Sequence, residues 1–220
     1  MGRLMSNRPM SDESFGPPEN KPFRLGVFGG SFDPPHLGHL ILAEEALYQL
    51  NLDQVLWVLT PNPPHKQERN LTPKDERFLL VQAAIQDQPR FKISRVEIDR
   101  SPPHFAVDTL RIIKEEFPEA DLVYLIGGDS LHDLPRWRTP REIIQICKVF
   151  GVMRRPGDQV DVALLEQKLA GLTSRLQWID APLLDISATL IRNKIQKGQS
   201  FRYYLHPAVY KIICEQCLFQ

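Results

Sequence analysis

A doubly wound, Rossmann-like α/β fold, with about six parallel strands and helices on both faces, is what this sequence predicts. Three observations carry that expectation. Short apolar runs alternate with longer segments of helical period through most of the 220 residues. The runs at 25–28, 54–60 and 122–126 are continuously apolar, as strands buried on both faces of a parallel sheet are. Two runs end in glycine pairs, Gly29–Gly30 and Gly127–Gly128, where backbone can approach a ligand that a Cβ would push away. With the strand order 3-2-1-4-5-6, those two ends flank the switch point where open α/β sheets bind ligands.

Each element has a local reason. Residues 1–22, rich in Ser, Pro, Asn and charge and without period, are expected to be a disordered tail, and the folded domain to span 23–220. After the first strand a helical pattern runs over about 38–50, then a second strand over 54–60 ends in the stiff loop PNPPHKQERN. Pro73, Asp75 and Glu76 mark a helix start, and the helix over about 74–87 is expected to bury Phe78, Val81, Ala84 and Ile85. FKISRVEI at 91–98 alternates and predicts a half-exposed strand, and AVDTLRIIKEEF after the loop DRSPPHF predicts a helix. The fourth strand, 122–126, precedes a short helical piece and the helix REIIQIC. A strand over 148–153 ends at Arg154 and Arg155, and a helix over about 161–170 leads to the strand RLQWIDA. One helix follows Ile186 and Ser187, and a last one begins at His206–Pro207.

Composition narrows the partners. Twenty-seven basic residues balance 27 acidic ones, so no global field draws nucleic acid or a membrane surface, and anion binding must be local. No apolar run approaches the roughly 20 residues of a membrane span, and the N-terminus has no secretory core, so the cytoplasm is the expected compartment. Of three cysteines, Cys147 sits in an apolar helical pattern and is expected in the core. Cys214 and Cys217 form one CxxC on the last helix, expected to be a packing feature because no second ligand pair accompanies it.

The chemistry concentrates in two stretches. Residues 24–39, RLGVFGGSFDPPHLGH, predict strand, glycine turn, proline loop and helix start. A helix N-terminus offers unpaired N–H groups and partial positive charge, which suit phosphate, and His36 and His39, three apart, share a face. Histidines at that place can also be caps. LLDISATLIR at 183–192 places Ser187 and Thr189 at a second helix start, with Arg192 a turn beyond. That is either a second anion site or a serine cap with a surface arginine.

GGSFDPPHLGH with ISATLIR resembles the nucleotidyltransferase superfamily that carries a G-x-F-D-P…H-x-G-H loop and an I-S-x-T-x-x-R motif. PNPPHK and GGDSLHDLPRW narrow the resemblance, over residues 23–217, to the bacterial nicotinate-nucleotide adenylyltransferases. The resemblance implies transfer of the adenylyl group of ATP to nicotinate mononucleotide, giving deamido-NAD and pyrophosphate. It implies that His36 and His39 stabilise charge on the ATP phosphates, and that Ser187, Thr189 and Arg192 hold the leaving pyrophosphate. Gly29, Gly30, Ser31 and Phe32 would line the nucleotide crevice by their backbone. Asp129 would meet a nucleotide sugar or phosphate, and Arg154, with Arg155, matches a basic stretch. Lys66 would reach the acceptor's phosphate, and Trp137 would stack on its ring. Where relatives commonly carry Ser-Tyr-Thr, this chain has His104, Phe105 and Ala106, so acid-over-amide preference turns on whether backbone or hydroxyl reads the carboxylate.

Because the attacking phosphate is already an anion, no activated nucleophile is required, and positioning with charge stabilisation suffices. Mg²⁺ is expected to arrive on the ATP phosphates without a dedicated carboxylate cage. The expected partners are ATP and nicotinate mononucleotide, with a homo-oligomer allowed, and neither nucleic acid nor membrane. Nicotinamide mononucleotide, phosphopantetheine or another phosphate stays open as acceptor, though pantetheine-specific relatives commonly carry Thr where His36 stands. A non-catalytic nucleotide-binding module also stays open; it would lack His39 or the Ser187–Arg192 pair, and all three are present.

Overall fold

Strands β1 (Arg24–Gly30), β2 (Gln54–Leu59), β3 (Phe91–Ser94), β4 (Asp121–Gly127), β5 (Val149–Met153) and β6 (Leu176–Ile179) form one all-parallel sheet in the computed structural model. Their order is β3-β2-β1-β4-β5-β6, as the sequence predicts. The structure describes residues 21–63, 71–153, 160–182 and 184–220. The expected tail, apart from Lys21 and Pro22, lies outside them, as do Lys66, Arg154 and Arg155.

The described helices are α1 (Leu37–Gln49), α2 (Lys74–Ile85), α3 (Ala106–Glu116), α4 (Gly128–Asp133), α5 (Pro140–Ile146), α6 (Val162–Lys168), α7 (Ala188–Gln196) and α8 (Pro207–Glu215). They cover both faces of the sheet. One core packs Phe28, Trp57, Val123 and Leu125 against α1, α2, α7 and α8; the other packs Leu25, Val27, Leu122 and Ile126 against α3, α5 and α6. Alternate residues of β1 and β4 thus enter opposite cores, which is why their sequences read as unbroken apolar runs. Gln49 on α1 exchanges two hydrogen bonds with the backbone of Asp180 just past β6 (2.6 and 2.9 Å), which fixes the chain's route toward α7.

Three expectations need correction. The third strand stops at Ser94 instead of reaching Ile98. The Ser94 hydroxyl accepts the N–H of Val96 (3.2 Å) and the Arg95 carbonyl accepts that of Asp99 (2.9 Å), so the chain turns and carries Glu97 inward. The buried face of α2 is wider than expected: Val81, Ala84 and Ile85 are buried as expected, Arg77 and Leu80 are buried beside them, and Phe78 is only half-buried, under the Arg95 guanidinium. Cys214 and Cys217 are both exposed, because α8 turns Val209 and Ile213 inward, so the pair is no packing feature. Cys147 is in the core as expected, and burial pushes its thiol up to about 12, leaving it inert.

Candidate active site

The carboxyl ends of β1 and β4 open onto a crevice of about 990 Å³, at the upper end of the range for small-molecule sites and roomy enough for two nucleotides. Its walls come from the loops and helix starts that follow β1, β3, β4 and β6. Twelve predicted site residues lie on it: Gly29, Gly30, Ser31, Phe32, His36, His39, Phe105, Ala106, Asp129, Trp137, Ser187 and Thr189. Arg192 is the thirteenth, and Lys66 and Arg154 fall outside the described residues.

At one end the two phosphate-type motifs meet. His36 caps α1, and its backbone N–H donates to Nδ1 of His39 (3.2 Å), a reciprocal arrangement of the capping-box kind. The capping and ligand readings of these histidines are therefore compatible. Because Nδ1 of His39 accepts, a neutral ring at this position carries its proton on Nε2. The two rings stack with centroids 3.7 Å apart, and His39 also meets the edge of Phe32 at 5.1 Å. A Cβ on Gly38 would lie 3.1 Å from the His36 ring and 3.8 Å from the Ile186 carbonyl, so glycine lets the ring fold across the helix start.

Phe32 turns its ring away from the crevice and into the core against Phe28, Trp57 and His39. Its φ of 45° is a strained conformation for a bulky residue, held by that packing. A Cβ on Gly30 would lie 2.9 Å from that ring, which explains the second glycine.

The second motif arrives at the N-terminus of α7. Ser187 caps it, accepting the N–H of Leu190 (3.1 Å) and keeping its own hydroxyl proton to donate. Arg192 donates to the backbone carbonyl of Asp33 (2.6 Å) and to Thr189 Oγ1 (3.2 Å), and its guanidinium lies 3.8 Å from the buried Asp33 carboxylate. This arginine, 159 residues from Asp33 in sequence, binds the two motifs together. Neither α1 nor α7 carries an acidic residue in its first turn, so the helix starts themselves do not repel an anion, and the nearby Asp33 carboxylate faces Arg192.

Sequence reasoning missed Arg77. It is 2% exposed, and its guanidinium donates to the carbonyls of Thr72 (2.7 Å), Ser31 (2.8 Å), Thr60 (3.0 Å) and Pro61 (2.7 Å). Burial lowers its pKa, and the Asp33 carboxylate partly offsets that effect. Arg77 thus pins the ends of β1 and β2 and the start of α2. Its signal was a charged residue in register with Leu80, Val81 and Ala84 on the apolar stripe.

The other end of the crevice is aromatic. Tyr124 stands edge-on to Trp137 at 6.2 Å, and the Arg138 guanidinium lies over the Phe105 ring at 4.7 Å. Arg138 was also missed, although it follows Trp137 directly in the sequence. Beneath these rings lie Glu97 and His104, 5% and 4% exposed. Burial raises the Glu97 carboxyl, against an opposing bond from Thr109, and lowers the His104 imidazole beside the Arg100 and Lys74 charges. Among the described residues no group of three or more His, Cys, Asp or Glu could hold a metal ion. The Asp33 carboxylate is engaged by Arg192. A cation that enters on substrate phosphates needs no such group.

Residues 27–194 match the family model described as cytidylyltransferase-like, which on this fold places the chain among the nucleotidyltransferases. It is 41% identical over 204 residues to a probable nicotinate-nucleotide adenylyltransferase of Synechococcus sp. (strain JA-3-3Ab), covering 92% of this chain and 98% of that one. Identity is 39% over 197 residues to the protein of the same name from Thermomicrobium roseum, covering 90% and 92%. The Plasmodium falciparum nicotinic acid mononucleotide adenylyltransferase complexed with NaAD shares the fold, with a TM-score of 0.74 at 20% identity over 90% of this chain and 97% of that one. The chain belongs to the nicotinate-nucleotide adenylyltransferase family.

Proposed function

We propose that the protein transfers the adenylyl group of ATP to nicotinate mononucleotide, releasing pyrophosphate and forming deamido-NAD, a step of NAD biosynthesis. The observation that carries this reading is the meeting of two helix starts at one end of a crevice whose other end is aromatic and cationic. One end suits a polyphosphate and the other an aromatic acid. The relatives bear the name of this activity over nearly the whole chain.

In the reaction an oxygen of the acceptor's phosphate attacks the α-phosphorus of ATP. A P–O bond forms there, the bond to the bridging β-oxygen breaks, and pyrophosphate leaves with the electron pair. Nε2–H of His39 donates to the oxygens on which charge builds, with His36 stacked behind it. The N-terminus of α7, the Ser187 hydroxyl, Thr189 and Arg192 hold the departing phosphates. Gly29, Gly30 and Ser31 offer backbone to the nucleotide, and Asp129 a carboxylate to its sugar. Trp137 stacks on the nicotinate ring, and Arg138 over Phe105 supplies positive charge near the first N–H groups of α3 for the substrate's carboxylate. Lys66 and Arg154 keep the acceptor-phosphate and ATP-phosphate roles that their motifs imply. Mg²⁺ on the ATP phosphates supplies further charge neutralisation when bound.

Pyrophosphate release measured with and without nicotinate mononucleotide tests the reading, which expects release only in its presence. In the same assay Trp137→Ala is expected to raise the acceptor's KM about tenfold, the order of one lost base–aromatic stack, and to leave the KM for ATP within about twofold. Parallel changes in both constants would mean that Trp137 does not sort the two substrates.

A further inference from the structure

The acceptor end contains a buried hydrogen-bonded group for which the transfer reaction has no use. Thr109, on the second turn of α3 and 4% exposed, has its Oγ1 2.6 Å from Oε1 of Glu97, 3.0 Å from Nη2 of Arg100 and 3.3 Å from the carbonyl of Phe105. A hydroxyl has one proton and two lone pairs. Arg100 donates into one lone pair, so the single proton must be directed either to Glu97 or to Phe105. Oε2 of Glu97 is buried beside the Thr60 hydroxyl, without a hydrogen bond of ordinary length and angle among the described residues. Thr109, Thr60 and Arg100 favour the charged carboxylate, and burial, the larger effect, opposes it.

The two protonation states arrange the first turn of α3 differently. When Glu97 is ionised it accepts a hydrogen bond from the Thr109 hydroxyl, and the contact with the Phe105 carbonyl carries no hydrogen. When Glu97 is protonated it donates to Oγ1, and the Thr109 proton is released to the Phe105 carbonyl. Phe105 caps α3, and Phe105 and Ala106 form the crevice wall at which the acceptor is placed. The groups facing this cluster are Arg100 on its own loop, His104, Asp108 paired with Arg100 at 3.5 Å, Tyr124 from β4, and Lys74 from α2, whose Nζ reaches the Ile98 carbonyl. Burial and the neighbouring Glu97 carboxyl raise the Tyr124 phenol and burial lowers the His104 imidazole, both directions favouring the neutral form, which leaves Glu97, bonded to Thr109, as the group through which a change of charge reaches α3.

We propose that Glu97 and Thr109 are a positioning pair for the acceptor subsite, the protonated pair pinning the start of α3 and the ionised pair loosening it. Acceptor binding then weakens as pH rises through the Glu97 transition, and repulsion between an ionised Glu97 and an anionic acceptor acts in the same direction. ATP, held at the far end, does not sense the change. The inference rests on the proposed adenylyl transfer and extends it to the control of one substrate's affinity.

The test measures KM for nicotinate mononucleotide and for ATP between pH 5.5 and 8.5 in wild type, Glu97→Gln, Thr109→Val and Thr109→Ser, with melting curves confirming that each folds. The acceptor phosphate's own ionisation, near pH 6, is common to all and cancels in the ratio to wild type. Glu97→Gln retains a donor to Thr109 and cannot ionise. It is expected to hold the acceptor KM at the wild type's acid-side value, so that the ratio falls steadily with pH. Thr109→Val is expected to raise the acceptor KM about tenfold, equivalent to one lost buried hydrogen bond, with ATP unaffected; serine is expected to restore it. A Glu97→Gln ratio flat across the range overturns the proposal, as does a parallel rise of both KM values in Thr109→Val. A wild type that releases no pyrophosphate with pyridine mononucleotides overturns the functional reading, and this inference with it.

Discussion

Replacing His39 by alanine is expected to lower turnover by about 10²–10³-fold, with a far smaller change in either KM. In the proposed mechanism the substitution removes an Nε2–H that donates to charge appearing only in the transition state, so the expected loss falls on kcat. It also removes the acceptor for the His36 N–H and one member of the ring stack, so a purely structural role must be separated. His39→Gln does that. Glutamine at the third helical position reaches back to the cap N–H, as in an ordinary capping box, but offers no imidazole. The account expects Gln to recover stability and to leave turnover as low as in the alanine variant. Recovery of turnover by Gln would make His39 a cap and no more.

The second large effect is on stability. Arg77→Met keeps the apolar stem and deletes a guanidinium that satisfies four carbonyls at the ends of β1 and β2 and the start of α2. Losing about 1 kcal/mol per bond, and leaving acceptors buried without donors, gives an expected cost on the order of 4 kcal/mol by urea unfolding. Arg77→Lys, with one compact charge in place of a planar fork, is expected to recover only part of it. A change below about 1 kcal/mol for Met would show that water satisfies those carbonyls. Because Ser31 and Asp33 belong to the strained turn that carries Phe32, a residual loss of kcat in the folded Lys variant is also expected.

The sheet was legible because its strands are buried on both faces and separated by helices of clear period, so strand order and switch point followed from pattern alone. The two helix starts that meet at one end of the crevice were legible because their residues lie in two short contiguous motifs. Departures arose where one local signal served two structures. FKISRVEI alternates like a strand, yet Ser94 and Arg95 accept hydrogen bonds that turn the chain, and Glu97 goes inward in place of a strand residue. Arg77 was not singled out in the sequence, where an arginine in a helix is ordinarily a solvated residue. Its burial depends on four carbonyls converging from three segments, which no local window contains. The Arg192–Asp33 contact spans 159 residues, and so emerges only once α7 has been brought beside the loop that follows β1. The same holds for the Glu97–Thr109 pair, whose members lie on a loop and a helix read separately.

The central claim is that this crevice joins ATP to a mononucleotide bearing an aromatic acid. Parallel turnover with nicotinate and nicotinamide mononucleotides, at equal concentration with ATP and Mg²⁺, tests it most directly by pyrophosphate release and dinucleotide formed. The account predicts deamido-NAD as the main product, with kcat/KM for the acid at least about tenfold above that for the amide, the order expected of one charge-assisted contact. Equal turnover of both, or pyrophosphate release that needs neither, would contradict it.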